Sequence, residues 1–333
     1  MNLISKSKIE RQKRGLCLRN PGSEDYPDST SVQADRAGLG ATLAGATAIL
    51  MWSTLALLTT MTGSVPPFQL TALTFGIAFA ATILRWSAQG SEIAPRFRWP
   101  LRAWLVGVGG LFGYHFFYFL ALRSAPPAEA SLVNYLWPLL IVLFSALLPG
   151  HRLRWWHLAG ALAGLCGTVL LVTGGGRLGF PAAYALGYGA ALACAVTWAG
   201  YSVLSRLFAQ VSTEAVGSFC GATAILAALC HLLFEPTVWP QGGQWLAVVA
   251  MGLGPVGAAF FAWDIGMKHG DIRTLGACGY LTPLLSTILL LIFGKAALSW
   301  TLALSAVLIA GGALLAAKDL LFRGQDRDAI TAS

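Results

Sequence analysis

A chain of 333 residues with 56% apolar residues, 11% charged residues and a mean hydropathy of +0.67 has too little polar surface for an ordinary soluble domain. Its length accommodates about ten membrane spans of ~20 residues joined by short loops. The net charge of +8 does not point to nucleic acid, because much of the excess precedes residue 40, beside the first apolar run, where basic residues act as a topology signal.

In chain order, residues 1–36 carry Lys6, Lys8, Arg11, Lys13, Arg14 and Arg19, then the acidic pair Glu24-Asp25. No apolar core follows until Leu39, so this stretch is expected to be a disordered cytoplasmic tail and not a cleaved leader. Ten spans follow, near residues 37–60, 67–86, 101–122, 127–148, 154–173, 182–206, 212–234, 243–267, 273–294 and 299–318. Their connections are punctuated by Pro66-Pro67, Pro126-Pro127, Pro149-Gly150, Gly174-Gly175-Gly176 and Gly242-Gly243. Residues 319–333 form a second tail. Threading the spans alternately places all of the 22 lysines and arginines on one side except Arg123, Arg177 and Lys295. The rule that basic loops stay inside then puts both termini in the cytoplasm.

The fourth span holds Val133-Asn134-Tyr135-Leu136-Trp137-Pro138, and a related segment, Gly279-Tyr280-Leu281-Thr282-Pro283, lies in the ninth. Tyr135 maps to Tyr280 and Pro138 to Pro283 at one offset, which also relates Trp155 to Trp300, Gly167 to Gly312, Gly109 to Gly254 and Phe116 to Phe261. Trp52 maps to Trp198 with one residue more. The expected fold is therefore all-α, with ten transmembrane helices in two five-helix repeats, 37–173 and 182–318. Five is odd, so the second repeat enters the membrane from the opposite side. Inverted repeats of this kind place a binding site near the midplane and support alternating access. Each proline removes a helical hydrogen bond, so Pro138 and Pro283 are candidate hinges.

Ionisable groups are scarce within the spans, where they usually mark substrate or ion paths. Glu129, in the first turn of span four, suits the helix dipole. Asp264 and Lys268, one turn apart, are expected to form a surface ion pair or a gate element. His115, in the middle of span three, has two readings: a group that binds substrate or titrates during transport, or a neutral histidine satisfied by a neighbouring hydroxyl or carbonyl. His231 is expected at the interface. Trp52, Trp137, Trp198 and Tyr280 lie deep, where an indole N–H or phenol O–H needs a partner. Together they suit a pocket for flat apolar groups, with Ser131, Asn134, Tyr135 and Pro138 along one side of span four. Gly160, Gly164, Gly167 and Gly311-Gly312 permit close helix packing. The six cysteines include no Cys-x-x-Cys pair and read as packed thiols. No phosphate loop, zinc-protease or nucleophile-elbow motif is present, so neither a cofactor, a metal nor an enzyme activity is expected.

Ten spans, two five-span halves and short loops resemble the drug/metabolite transporter superfamily with its EamA-type repeats. Within it, Ile49-Leu50-Met51-Trp52-Ser53-Thr54, Val133–Pro138, Gly279–Leu284 and Ala262-Trp263-Asp264-Ile265-Gly266 before His269-Gly270 are similar to the YddG-type aromatic amino acid exporters. The resemblance covers roughly residues 40–318. It implies an exporter in the bacterial inner membrane, whose partners are a small aromatic amino acid and the lipid bilayer. It further implies a central cavity lined around Trp52, Asn134, Tyr135, Trp137, Pro138, Trp198, Tyr280 and Pro283, with His115 added from its position in span three. Transport is expected to be facilitated diffusion. A broader exporter of drugs or hydrophobic metabolites, with proton coupling, stands as the alternative.

Overall fold

Proline and glycine set where the helices begin and end. In the computed structural model, which describes residues 29–149, 153–177 and 179–321, every regular element is helical. Helix α1 covers Ser29–Ser53, starting ahead of the predicted first span, and α2 covers Leu55–Thr60. Then come α3 (Pro67–Ala88), α4 (Leu101–Ser124), α5 (Pro127–Asn134), α6 (Trp137–Ser145) and α7 (Trp155–Thr173). The second half contains α8 (Ala185–Ser205), α9 (Ala215–Phe234), α10 (Gln244–Leu253), α11 (Ala259–His269), α12 (Ile272–Cys278), α13 (Leu281–Ile292) and α14 (Trp300–Ala316). Pro67 and Pro127 occupy first-turn positions, where a missing N–H costs nothing. Gly174 ends α7 at a φ of 58°, a left-handed conformation that favours glycine. Residues 1–28 and 322–333, which hold most of both predicted tails, lie outside the described residues.

Nine helical segments among the described residues are long and apolar enough to cross a membrane. The predicted tenth span is the shorter apolar helix α14, whose 17 residues rise about 26 Å. Two of the crossings are broken at related places. Tyr135-Leu136 separates α5 from α6, and Gly279-Tyr280 separates α12 from α13. Pro138 and Pro283 sit in the first turn of the half that follows, so each proline starts a helix where an unbroken one would clash.

A third interruption went unforeseen. Between α10 and α11 the backbone forms a π-helical turn, Gly254–Ala258, around Pro255. Such turns are rare in helices and recur at functional sites.

Close helix pairings among the described residues include α3 with α9, α4 with α8, α6 with α12, α7 with α14, and α1 with α11. Glycine makes two of them possible. A Cβ on Gly160 of α7 would lie 2.4 Å from the Gly312 carbonyl oxygen of α14. One on Gly266 of α11 would lie 2.7 Å from the Gly45 Cα of α1. Such contacts gain dispersion where no hydrophobic drive acts between helices.

Carboxylates fasten α3 to α9 at both ends. Glu235, beyond α9, accepts the Phe68 and Gln69 N–H groups at 3.1 Å each, capping α3, and also meets Arg123. Glu214, before α9, takes Arg85, the Trp86 indole N–H and Arg96. His231, in the last turn of α9, is buried against Glu235 (3.2 Å) and Thr237 (3.0 Å).

Candidate functional site

Aromatic side chains from five helices converge beside the broken helix α5–α6. Trp52 of α1 lies 5.0 Å from Trp263 of α11 and 5.4 Å from Trp198 of α8, centroid to centroid. Trp198 stacks near Trp263 at 6.2 Å, and Trp137 of α6 approaches both, at 6.5 and 6.1 Å. The four indoles are almost wholly buried. Offset and edge-on ring pairs of this kind gain from complementary ring quadrupoles. The Trp52 N–H finds its partner in the Pro255 carbonyl at 3.0 Å, inside the π turn. The Trp263 N–H donates to the Ser202 hydroxyl, also at 3.0 Å.

Above this indole layer sits a half-buried row on α4. Tyr114 contacts Trp198 at 5.4 Å, stacks on Tyr118 at 6.0 Å, and adjoins His115. The His115 Nδ1 lies 2.7 Å from the Leu111 carbonyl, so that nitrogen donates and Nε2 is left without a partner among the described residues. The ring also meets Phe75 edge-on at 5.2 Å. Asn134, buried at the end of α5, donates from Nδ2 to the Tyr114 hydroxyl at 3.2 Å, and its Oδ1 has no partner among the described residues.

Tyr118 of this row is hydrogen-bonded to Ser131, which is part of the wall of a cavity of about 360 Å³. Its walls are Pro127, Ala128, Ser131 and Tyr135 of the broken helix, Leu171 and Val172 at the end of α7, and Pro283, Ser286 and Thr287 of α13. The lining mixes hydroxyls with apolar groups and contains no charged residue. An uncharged, partly polar cavity can hold a flat apolar group while offering hydrogen bonds to a polar end.

Trp52, Trp137 and Trp198 thus come together; Tyr135 and Pro283 line the cavity; and Asn134 and His115 both adjoin Tyr114. Pro138 is buried behind the break. Tyr280 falls elsewhere: its ring packs against Gly164 of α7, in a separate apolar cluster with Val142, Ala161, Leu284 and Ile309. The sequence reading did not single out Trp263, Phe260 or Tyr114 as site residues. A signal existed, since Trp263 and Phe260 stand at the repeat positions of Tyr118 and His115.

Asp264 and Lys268 form no surface pair. Both are buried, with Asp264 Oδ2 2.8 Å from Lys268 Nζ. The Thr213 hydroxyl donates to Asp264 at 2.7 Å and Lys268 donates to the Val211 carbonyl at 2.8 Å. The connection before α9 therefore covers a pair that spacing alone left exposed. Just beyond α11, Asp271 caps α12 by accepting the Arg273 and Thr274 N–H groups at 3.0 and 3.1 Å. Burial works against ionisation of Asp271. The Arg273 guanidinium and the two backbone N–H groups outweigh it and hold the carboxyl below its ordinary range.

The EamA-like transporter family matches residues 39–173 and 185–318. An aromatic amino acid exporter YddG of Ancylobacter novellus is 62% identical over 278 residues, covering 83% of this chain and 96% of that protein. Proteins of the same name from Escherichia coli K12 and Salmonella typhimurium are 27% and 26% identical, with the same coverage. A crystal structure with 61% sequence identity superposes with a TM-score of 0.81, covering 86% of this chain and 98% of its own.

Proposed function

This chain belongs to the EamA-like transporter family and is a multi-pass membrane protein, and we propose that it exports aromatic amino acids across the bacterial inner membrane. The observation that carries the substrate class is the layer of four buried indoles, Trp52, Trp137, Trp198 and Trp263, in a protein whose broken helix α5–α6 contributes Trp137 to that layer and Ser131 and Tyr135 to an uncharged cavity. The name of the 62% identical relative supports it. Trp52, His115, Asn134, Tyr135, Trp137 and Trp198 are the proposed substrate-site residues; Tyr280, packed on Gly164 away from them, is left out.

The transport cycle follows from the proposed repeats. Ten spans form two inverted five-helix halves, with both termini cytoplasmic. The pairings support this: exchanging the halves returns α3–α9 and α7–α14 to themselves and turns α4–α8 into α1–α11. The halves rock around the cavity, bending where Pro138 and Pro283 start their helices. Carriage down a gradient needs no ionisable relay, and no carboxylate lines the cavity.

The test is uptake of labelled phenylalanine, tryptophan, leucine and glutamate by the purified protein in liposomes, with and without a pH gradient. Saturable movement of the two aromatic substrates that persists without the gradient is expected. Equal movement of leucine would favour a broader exporter of hydrophobic compounds, which the uncharged lining would also suit. Dependence on the gradient would favour proton coupling, with His115 as the group to replace.

A further inference from the structure

We infer that the Asn134 end of α5 is the subsite for the substrate's α-ammonium group, so that a free amine, more than a free carboxylate, marks a compound as cargo. The inference rests on the exporter reading above and assigns a place at the helix break beside that cavity. Asn134 is 4% exposed, yet its Oδ1 has no hydrogen-bond partner among the described residues. Leaving a buried acceptor unmade is costly, which argues for a donor that arrives with the ligand. The other end of the carboxamide is fixed, since Nδ2 donates to the Tyr114 hydroxyl.

The backbone supplies a second oxygen at the same place. In an unbroken helix the Asn134 carbonyl would accept from residue 138, but Pro138 has no N–H to give. Asn134 is also the last residue of α5, where the carbonyls of a helix end carry negative partial charge. Broken helices in transporters use such ends for cations. Its neighbours Ser131 and Tyr135 line the cavity, which brings the cavity wall to within one residue of Asn134 on the chain. Tyr114 in turn lies against Trp198, which places the indole layer on the side where an aromatic side chain would lie. Two acceptors with no cation of their own select an N–H donor, and a primary ammonium supplies three.

The test is competition against labelled phenylalanine uptake by the full chain in liposomes. Phenylalaninamide keeps the ammonium and loses the carboxylate; 3-phenylpropionate does the reverse. Phenylalaninamide is expected to compete about ten- to a hundredfold better, as hydrogen bonds to a charged group imply. Asn134→Leu should bring that ratio close to one, whereas Asn134→Asp should keep or widen it. Equal competition by the two analogues would overturn the inference. So would stronger competition by the acid, which would mean that the carboxamide presents its donor to the ligand, or an unchanged ratio in Asn134→Leu. If Asn134→Leu does not fold, the wild-type ratio and Asn134→Asp still decide. Leucinamide against 4-methylpentanoate separates the two readings: if leucinamide competes as well as phenylalaninamide, the aromatic assignment fails while the ammonium subsite stands.

Discussion

Lys268 shows how much of a residue's role depends on what covers it. With Asp264 buried beside it, replacing Lys268 by Met strands a carboxylate inside the protein. Breaking one side of such a pair costs about 3–5 kcal/mol, while replacing both partners by apolar groups is often close to neutral. Lys268→Met should therefore lower the midpoint of thermal unfolding in detergent clearly, and Lys268→Met with Asp264→Leu should recover most of the loss. An equal loss in the double variant would contradict the account. Asp271 makes a pH prediction. Its carboxyl titrates lower in the folded protein than its ordinary value of 3.8, so its contribution is complete above that value and disappears as pH falls through the folded pKa. In acid, below about pH 4, the stability lost by the wild type should exceed that lost by Asp271→Asn, as read by unfolding midpoints. The i,i+4 spacing made the Asp264–Lys268 pair legible in the sequence. Its burial was not, because the covering groups, Val211 and Thr213, come from a distant connection.

Helices tell a similar story one level up. Most spans, and the breaks near Pro138 and Pro283, were legible because apolar runs and prolines act locally. The π turn at Gly254–Ala258 was not, although Pro255 offered a cue: a proline within a run must interrupt the hydrogen-bond ladder, and here the carbonyl of Pro255 itself accepts the Trp52 indole N–H. If the two proline breaks are hinges, Pro138→Ala with Pro283→Ala should slow phenylalanine transport by roughly tenfold or more, with wild-type amounts of folded protein. Normal transport by that double variant would remove the hinge. Packing is tested at α7 and α14, where Gly160→Leu must push aside the Gly312 backbone. Overpacking of this kind costs about 1–3 kcal/mol, and backbone yields less easily than side chains. A lowered unfolding midpoint is the expected result; an unchanged one would mean that the two helices part freely.

At the scale of the molecule, the repeat offset in the sequence already named many of the residues that meet in space. It brought Trp52 and Trp198 into one argument before the structure placed their rings 5.4 Å apart. It did not separate Tyr280 from Tyr135. The two occupy corresponding positions, yet one packs on Gly164 and the other lines the cavity, because the surrounding side chains differ between the halves. The central claim is that one cavity carries aromatic amino acids by opening alternately to either side. Counterflow tests it most directly: liposomes holding the purified protein are preloaded with unlabelled tryptophan, then diluted into a trace of labelled phenylalanine. The account predicts a transient accumulation of label above its equilibrium level, absent from empty liposomes and from those preloaded with leucine. Equal labelling of all three, with no transient, would contradict a carrier and leave a pore; an equal transient with leucine would contradict the aromatic site.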